Sequence, residues 1–225
     1  MESTLLRDIR NEAMALTVGA GEQKHMVLLS PENGTLRIRQ LRGSQLTLHV
    51  LSLSDADSQI QITVAQDESD CRTELYGLAF TRGKQVVDLE THVLHNVGGG
   101  VSCQLFKNVL ADESRASFYG ELKVQPDAQK TEAFQTNRNI LLSTQAKMRT
   151  RPQLEIYADD VKCSHGATTG QLDKNALFYL QQRGIPLQEA RRLLLQAFFE
   201  EVIATLPDEA LQEEVREQIN KRLNR

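Results

Sequence analysis

The sequence predicts a mainly β protein that ends in a small α-helical subdomain, and three observations carry that reading. From about residue 34 to 160 the apolar residues come in short runs, several alternating with polar residues at the period of two that a strand with one buried face requires. Turn-like breaks separate the runs: "LSDADS", "AQDESD", "TRGK", "NVGGG" and "LADESR". After Gly170 the pattern changes to the longer period of helices.

Taken in order, the strand-like runs are "TLRIRQL", "QLTLHVLSL", "QIQITV", "QVVDLETHVL", "SFYGELKV" and "QLEIYA". No proline occurs from residue 32 to 125, so no central strand in that span lacks a ladder donor. A long series of short strands fits either a sandwich or a solenoid whose strands stack in parallel. Periodicity leaves both open, and no strict residue-level repeat singles out the most regular solenoids. The β part is expected over residues 1–170 and the helical part over 171–225.

The first expected helix lies in "LDKNALFYLQQRGIP", with Asp173 as N-cap, Leu172 and Leu177 at the positions of a hydrophobic staple, and Gly184 closing it in the left-handed conformation. Pro186 then opens a second helix at its preferred first position, with Leu187, Ala190, Leu193, Leu194, Ala197 and Phe198 as the apolar face. A third begins near Pro207 and Asp208. Its Leu211, Val215, Ile219 and Leu223 recur every fourth residue, with an acidic start and a basic end that suit the macrodipole.

Composition restricts function. The 225 residues are 40% hydrophobic and 25% charged, enough for a sizeable core. A net charge of -4 supplies no broad positive field, which argues against nucleic acid as a partner. Cys71, Cys103 and Cys163 are an odd, scattered set without CxxC spacing, which points to a reducing compartment rather than a disulfide framework. The stretch "MESTLLRDIRNEAMALTVGAG" breaks its apolar positions with charges, and no run reaches membrane-spanning length, so the expected location is the cytoplasm, with no membrane partner.

Chemistry concentrates in "QLEIYADDVKCSHGATTG". Cys163 and His165 are two apart, so in a strand both point to one side and could jointly meet a soft metal or cluster. Two ligands fall short of the four that a structural zinc takes. A Cys163 nucleophile with His165 as base, in a hydrolase or transferase, is the alternative, although no oxyanion hole is visible. The bland reading makes this turn chemistry, with Cys163 a small buried hydrophobe. "HNVGGGVS" lacks the GK[ST] ending of a phosphate loop and reads as a turn, with His92 and His95 on opposite faces of a strand.

The segment "PQLEIYADDVKCSHGATTGQLDKNALFYLQQRGIPLQEARRLLLQAF" closely resembles the C-terminal signature of the SufB/SufD family of the SUF iron-sulfur cluster assembly system, on its SufD side. "LFKNVLADESRASFYGELKVQPDAQKTEAFQTNRNILLSTQAKMRTRP" is similar to that family's core. The resemblance implies a right-handed parallel β-helix followed by a small C-terminal helical subdomain, and a non-catalytic scaffold role. It implies pairing through the β-helix with a SufB-type protein, or with a second copy, and docking of the ATPase SufC through the C-terminal helices. Under it, Cys163 and His165 match the interface where a transient iron-sulfur cluster forms, a half-site completed by the partner, with no cofactor held tightly in isolation. Phe178, Tyr179, Leu180, Arg183, Gly184 and Ile185 match the segment that meets the ATPase. Family members carry a helical segment and further β-helix before the part matched here, so the chain is expected to correspond to a C-terminal part of such a protein.

Overall fold

In the computed structural model, which describes residues 2–7 and 10–224, thirteen strands precede three helices. The strands are β1 (Glu2–Arg7), β2 (Arg10–Val18), β3 (Gln23–Leu29), β4 (Asn33–Gln40), β5 (Gln45–Ser52), β6 (Ser58–Gln66), β7 (Arg72–Thr81), β8 (Val86–His95), β9 (Val101–Leu110), β10 (Arg115–Val124), β11 (Glu132–Leu141), β12 (Lys147–Ile156) and β13 (Lys162–Gly170). The helices are α1 (Lys174–Gln182), α2 (Leu187–Ile203) and α3 (Glu209–Leu223). Odd strands form a seven-stranded sheet in the order β1-β3-β5-β7-β9-β11-β13, and even strands a six-stranded sheet, β12-β10-β8-β6-β4-β2. Every pairing is parallel, from β1 with β3 to β11 with β13. The chain is therefore a two-sheet parallel solenoid, which settles the choice that periodicity left open. Asn33-Gly34, a dipeptide that favours hairpins, lies instead inside β4, between two parallel neighbours.

The core between the sheets is apolar in its first coils: Met26, Leu28, Leu46, Leu48 and Leu75 on one wall face Leu36, Ile38, Ile60, Ile62 and Val64 on the other. The outer faces differ. That of the six-stranded sheet meets solvent, so its strands alternate cleanly, as in β6 with Ile60, Ile62 and Val64 inward and Gln59, Gln61 and Thr63 outward. The outer face of the seven-stranded sheet is covered by α2 and α3: Val27, Leu29, Leu51, Leu78, Phe80 and Val109 pack against Leu195, Phe199, Val202, Leu211, Val215 and Ile219. Strands β3, β5, β7 and β9 are buried on both faces along their second halves and lose the alternation. Five of the six runs legible by period belong to the solvated sheet, and β7, β9, β11 and β13 were not among them.

Coil length drifts. Lys24 pairs with Leu46, 22 residues on; Leu46 with Thr73, 27 on; Arg72 with Val101, 29 on; and Val101 with Glu132, 31 on. Strands lengthen in step, from 7 residues in β3 to 10 in β7, β9 and β11. A drifting period leaves no fixed repeat in the sequence. What repeats is a left-handed residue at the corners entering β3, β5, β7, β9 and β11: Gly21, Gly43, Asp70, Gly99 and Lys130. The "VGGGVS" turn is crowded by neighbouring coils. A Cβ on Gly98 would lie 2.5 Å from the Gln129 carbonyl oxygen, and one on Gly100 would lie 2.1 Å from Gln66 Oε1 and 2.8 Å from His95 Nδ1. Pro152 lies in β12, the terminal strand of its sheet, where a missing donor costs least.

The helix ends follow the sequence closely. Asp173 accepts from the Asn175 N–H at 2.8 Å, Gly184 is left-handed with φ 83°, and Asp208 accepts from the Leu211 N–H at 2.8 Å. Pro186 is the residue before α2 rather than its first, a shift of one position. The face of α2 needs a larger correction. Ala190, Leu195, Phe199, Val202 and Ile203 are buried, while Leu187, Leu193 and Ala197 are exposed. "RRLLLQAFF" is apolar on so much of its circumference that two faces fit the helical period, and only the sheet beneath selects one. No described helix is long and apolar enough to cross a membrane.

Polar side chains bind the helices to the sheet at defined points. Buried Lys107 on β9 donates to the Phe198 carbonyl at 2.8 Å, pairs with Glu201 and lies over the Phe198 ring. Buried Arg222 on α3 donates to the carbonyls of Phe80 (2.9 Å) and Leu53 (2.8 Å), to Asp55 (2.8 Å) and to Gln85 Oε1 (3.1 Å). His25, His49 and Tyr76 stack across three adjacent strands. The Thr205 hydroxyl donates to the Val202 carbonyl, so His49 Nε2 must donate to Thr205 (2.8 Å) and Nδ1 must accept from His25 Nε2 (3.0 Å). His49 is thereby fixed as the neutral Nε2–H tautomer, and His25 donates from its Nε2.

Two outcomes are expected. Gly100→Ala forces Gln66 and His95 apart in a packed interior and should destabilise by about 1–3 kcal/mol, read as a lowered denaturant midpoint. Burial, with the nearby His25 charge, lowers the His49 pKa to about 3, and burial lowers that of His95 to about 4. Above the unfolded value of 6.5 neither state binds the extra proton and stability is flat. Below it the unfolded chain binds protons the folded chain refuses, so stability falls by about 1.4 kcal/mol per pH unit for each ring until the folded values are reached. Denaturant midpoints at pH 7, 6 and 5 should drop steadily; a flat series would contradict buried neutral rings.

Candidate functional site

The "CSHGATTG" segment forms β13, the terminal strand of its sheet, paired with β11 on one edge only among the described residues. Cys163 pairs with Ala133 and His165 with Gln135, so both occupy the side of the strand that faces the solenoid interior. Because the stack ends here, interior-facing positions lie open: Cys163 is half-buried against Val124, Ala128, Ala158 and Val161, and His165 is exposed. Burial pushes the Cys163 thiol up, partly offset by a hydrogen bond from the Ala133 backbone. Among the described residues no group of three or more His, Cys, Asp or Glu side chains is placed to hold a metal. The pair is a two-ligand set at an open end.

Lys162 pairs with Glu132 (2.7 Å), and Lys130 with Asp160, closing the corner below Cys163. The Asp160 carbonyl also accepts from the Lys130 N–H at 2.7 Å. His165 continues an interior ladder row that runs Leu75, Gln104, Gln135, His165, so the interior turns from apolar to polar toward this end. Gln135 is buried, and its side-chain atoms have no hydrogen-bond partner among the described residues. Gly120 leaves it room, since a Cβ there would lie 2.4 Å from Gln135 Nε2. Sequence reasoning missed this row, because its members lie about thirty residues apart in a drifting period.

Of the six residues singled out, Phe178, Tyr179 and Leu180 lie in α1 and Arg183, Gly184 and Ile185 in the turn that closes it. No residue of α1 is buried. Phe178 is 63% and Tyr179 58% exposed, so neither packs back on the solenoid or on α2. Arg183 lies over the Tyr179 ring at 5.1 Å. The Gly184 N–H bonds to the Gln181 carbonyl and the Ile185 N–H to that of Leu180, which fixes the corner that carries Arg183 and Ile185.

His92 and His95 point to opposite faces, as expected: His95 is buried inside, donor or acceptor to Ser102 (2.8 Å), and His92 lies on the outer face of the six-stranded sheet. There His92 is held by two carboxylates, Glu121 at Nδ1 and Glu90 at Nε2, each at 2.7 Å. Partial burial works against its charge, but the hydrogen bonds and charges of Glu121 and Glu90 outweigh it and raise its pKa. With both nitrogens engaged, this ring is a cross-strand ion-pair element rather than a free ligand.

A family model described as SUF system FeS cluster assembly, SufBD core domain, matches residues 30–198. The iron-sulfur cluster assembly protein SufD of Escherichia coli is 44% identical over 146 residues, 65% of this chain and 34% of that protein. A SufBD family protein of Synechocystis is 37% identical over 188 residues, 84% of this chain and 42% of that protein, and the chloroplastic protein ABCI7 of Arabidopsis thaliana is 36% identical over 183 residues, 81% and 38%. The chain thus matches well under half the length of each of these relatives. The match runs unbroken from β4 into α2 and takes in both the open end at β13 and the exposed helix α1, and the chain belongs to the SufBD core-domain family of the SUF iron-sulfur cluster assembly system.

Proposed function

We propose that this chain is a non-catalytic scaffold on which a partner subunit completes a transient iron-sulfur cluster site. The observation that supports it best is the half-site at an unfinished edge: Cys163 and His165 side by side on β13, with too few neighbouring ligands to hold a metal alone. The cluster is cargo here. A thiolate and an imidazole suit iron or a cluster, and the remaining ligands come from across the interface.

The edge itself favours pairing. β13 reads "KCSHGATTG", with no proline and one lysine at its start, so it carries few of the devices that block edge-to-edge addition. A SufB-type protein, or a second copy of this chain, extends the ladder and covers the Cys163 side. The raised Cys163 thiol weighs against the hydrolase or transferase alternative, which needs a thiolate at neutral pH. Three free cysteines fit a reducing compartment such as the cytoplasm. The exposed Phe178 and Tyr179, with Leu180, Arg183, Gly184 and Ile185 on a rigid corner, form the dock for the ATPase SufC, since aromatic anchors bury much area at small entropic cost.

Two experiments separate these parts. Cys163→Ala with His165→Ala should leave the unfolding midpoint of the isolated chain nearly unchanged and sharply lower cluster yield in the assembled complex. Normal yield would return both residues to turn chemistry. Tyr179→Ser and Ile185→Ser should each weaken calorimetric binding of the purified ATPase by about 1–4 kcal/mol. Unchanged affinity in a folded double variant would remove α1 from the dock.

A further inference from the structure

A cavity of about 750 Å³ lies where the solenoid edge meets the helices, between the corner after β11, the start of α1, the first turns of α2 and the end of α3. Its volume is that of a small-molecule site. Its apolar lining includes buried Phe80 and Leu195 and part-exposed Leu141, Leu142 and Leu177. It also carries Arg82, Lys174, Arg191, Arg192 and Arg222 with a single carboxylate, Glu189. Leu142 remains 39% exposed at the rim, apolar surface that the fold itself does not cover.

The cations divide by partner. Arg192 is matched by Glu189 at 2.8 Å, Arg222 by Asp55 at 2.8 Å, and Arg82 by Asp112 at 3.6 Å. Lys174 and Arg191 have no ion-pair or hydrogen-bond partner among the described residues. In a chain whose net charge is -4, two exposed, unmatched cations beside the part-exposed Leu141, Leu142 and Leu177 make a locally positive patch. An apolar wall with a few convergent charges is the usual make-up of a ligand pocket, and the charges select the ligand's sign.

We infer that this cavity binds a small organic anion with an apolar body, the body against Leu141, Leu142 and Leu177 and the anionic head between Lys174 and Arg191. The guanidinium of Arg191 can take a carboxylate or phosphate in a bidentate manner, and Lys174 adds a point charge. Lys174 lies one turn before Phe178 on α1 and Arg191 lies on α2, and the site does not depend on the scaffold reading.

The test uses the whole chain and a matched pair of fluorescent probes: 1-anilinonaphthalene-8-sulfonate, which is anionic, and N-phenyl-1-naphthylamine, the same apolar body without the sulfonate. The anionic probe should saturate one site, and Lys174→Glu with Arg191→Glu should raise its dissociation constant at least tenfold while circular dichroism stays unchanged. Leu142→Gln, at the exposed rim, should weaken both probes and serves if the charge reversal fails to fold. Displacement by decanoate or by decyl phosphate, with the better competitor identifying the head group, supports the site. Equal affinity for the neutral probe, equal displacement by decanol, or anionic-probe binding indifferent to all three substitutions overturns it.

Discussion

A parallel ladder gives each interior strand two hydrogen-bonded neighbours, and in this solenoid those neighbours are always the coil before and the coil after. Residues therefore stack on their counterparts some thirty positions away, and each side chain must suit the one above it. Phe106 occupies the space that Gly77 leaves empty, where a Cβ would lie 2.0 Å from its ring. Gln66 reaches across a corner to Thr73 and to the Val101 carbonyl. The same rule leaves the last strand with one satisfied edge. What leaves β13 with an open edge is the ordinary ladder, interrupted.

The helices complete the fold by covering one sheet and sparing the other. Apolar burial against Leu29, Leu51, Leu78 and Val109 is non-directional and would tolerate sliding. Direction comes from Lys107, Arg222 and His49, whose donors reach particular carbonyls and hydroxyls. Burying two cations is costly, and each is compensated by several acceptors, so loss of one acceptor would leave charge stranded. α1 stands outside this lacing, with no buried residue, which leaves its aromatic face free.

Much of this was legible in the sequence, and the remainder was hidden for physical reasons. The solvated sheet announced itself, since "QIQITV" and "SFYGELKV" alternate only because one face is wet. "RTELYGLAFT" did not, because helices bury its outer face and both parities become apolar. Caps at Asp173 and Gly184 are local chemistry and were readable, as was the start of α3 near Asp208. The face of α2 was not, since its choice belongs to the sheet. Cys163 and His165 were placed on one side of a strand from spacing alone; that the strand is terminal, and the side an open interior, needed the register. The cavity joins residues from β7 to α3, and no window of sequence contains it.

The drift in coil length widens the stack from β3 to β11. At about 3.3 Å per residue, seven-residue β3 spans roughly 23 Å and ten-residue β11 roughly 33 Å. Every added pair of residues turns one more side chain toward the interior, so the wider coils have more space to fill between the sheets. They fill it with the rings of Phe106 and Phe118, whose centroids lie 4.6 Å apart, and with the amides of Gln104 and Gln135, where the narrower coils manage with Met26, Leu28, Leu46 and Leu48.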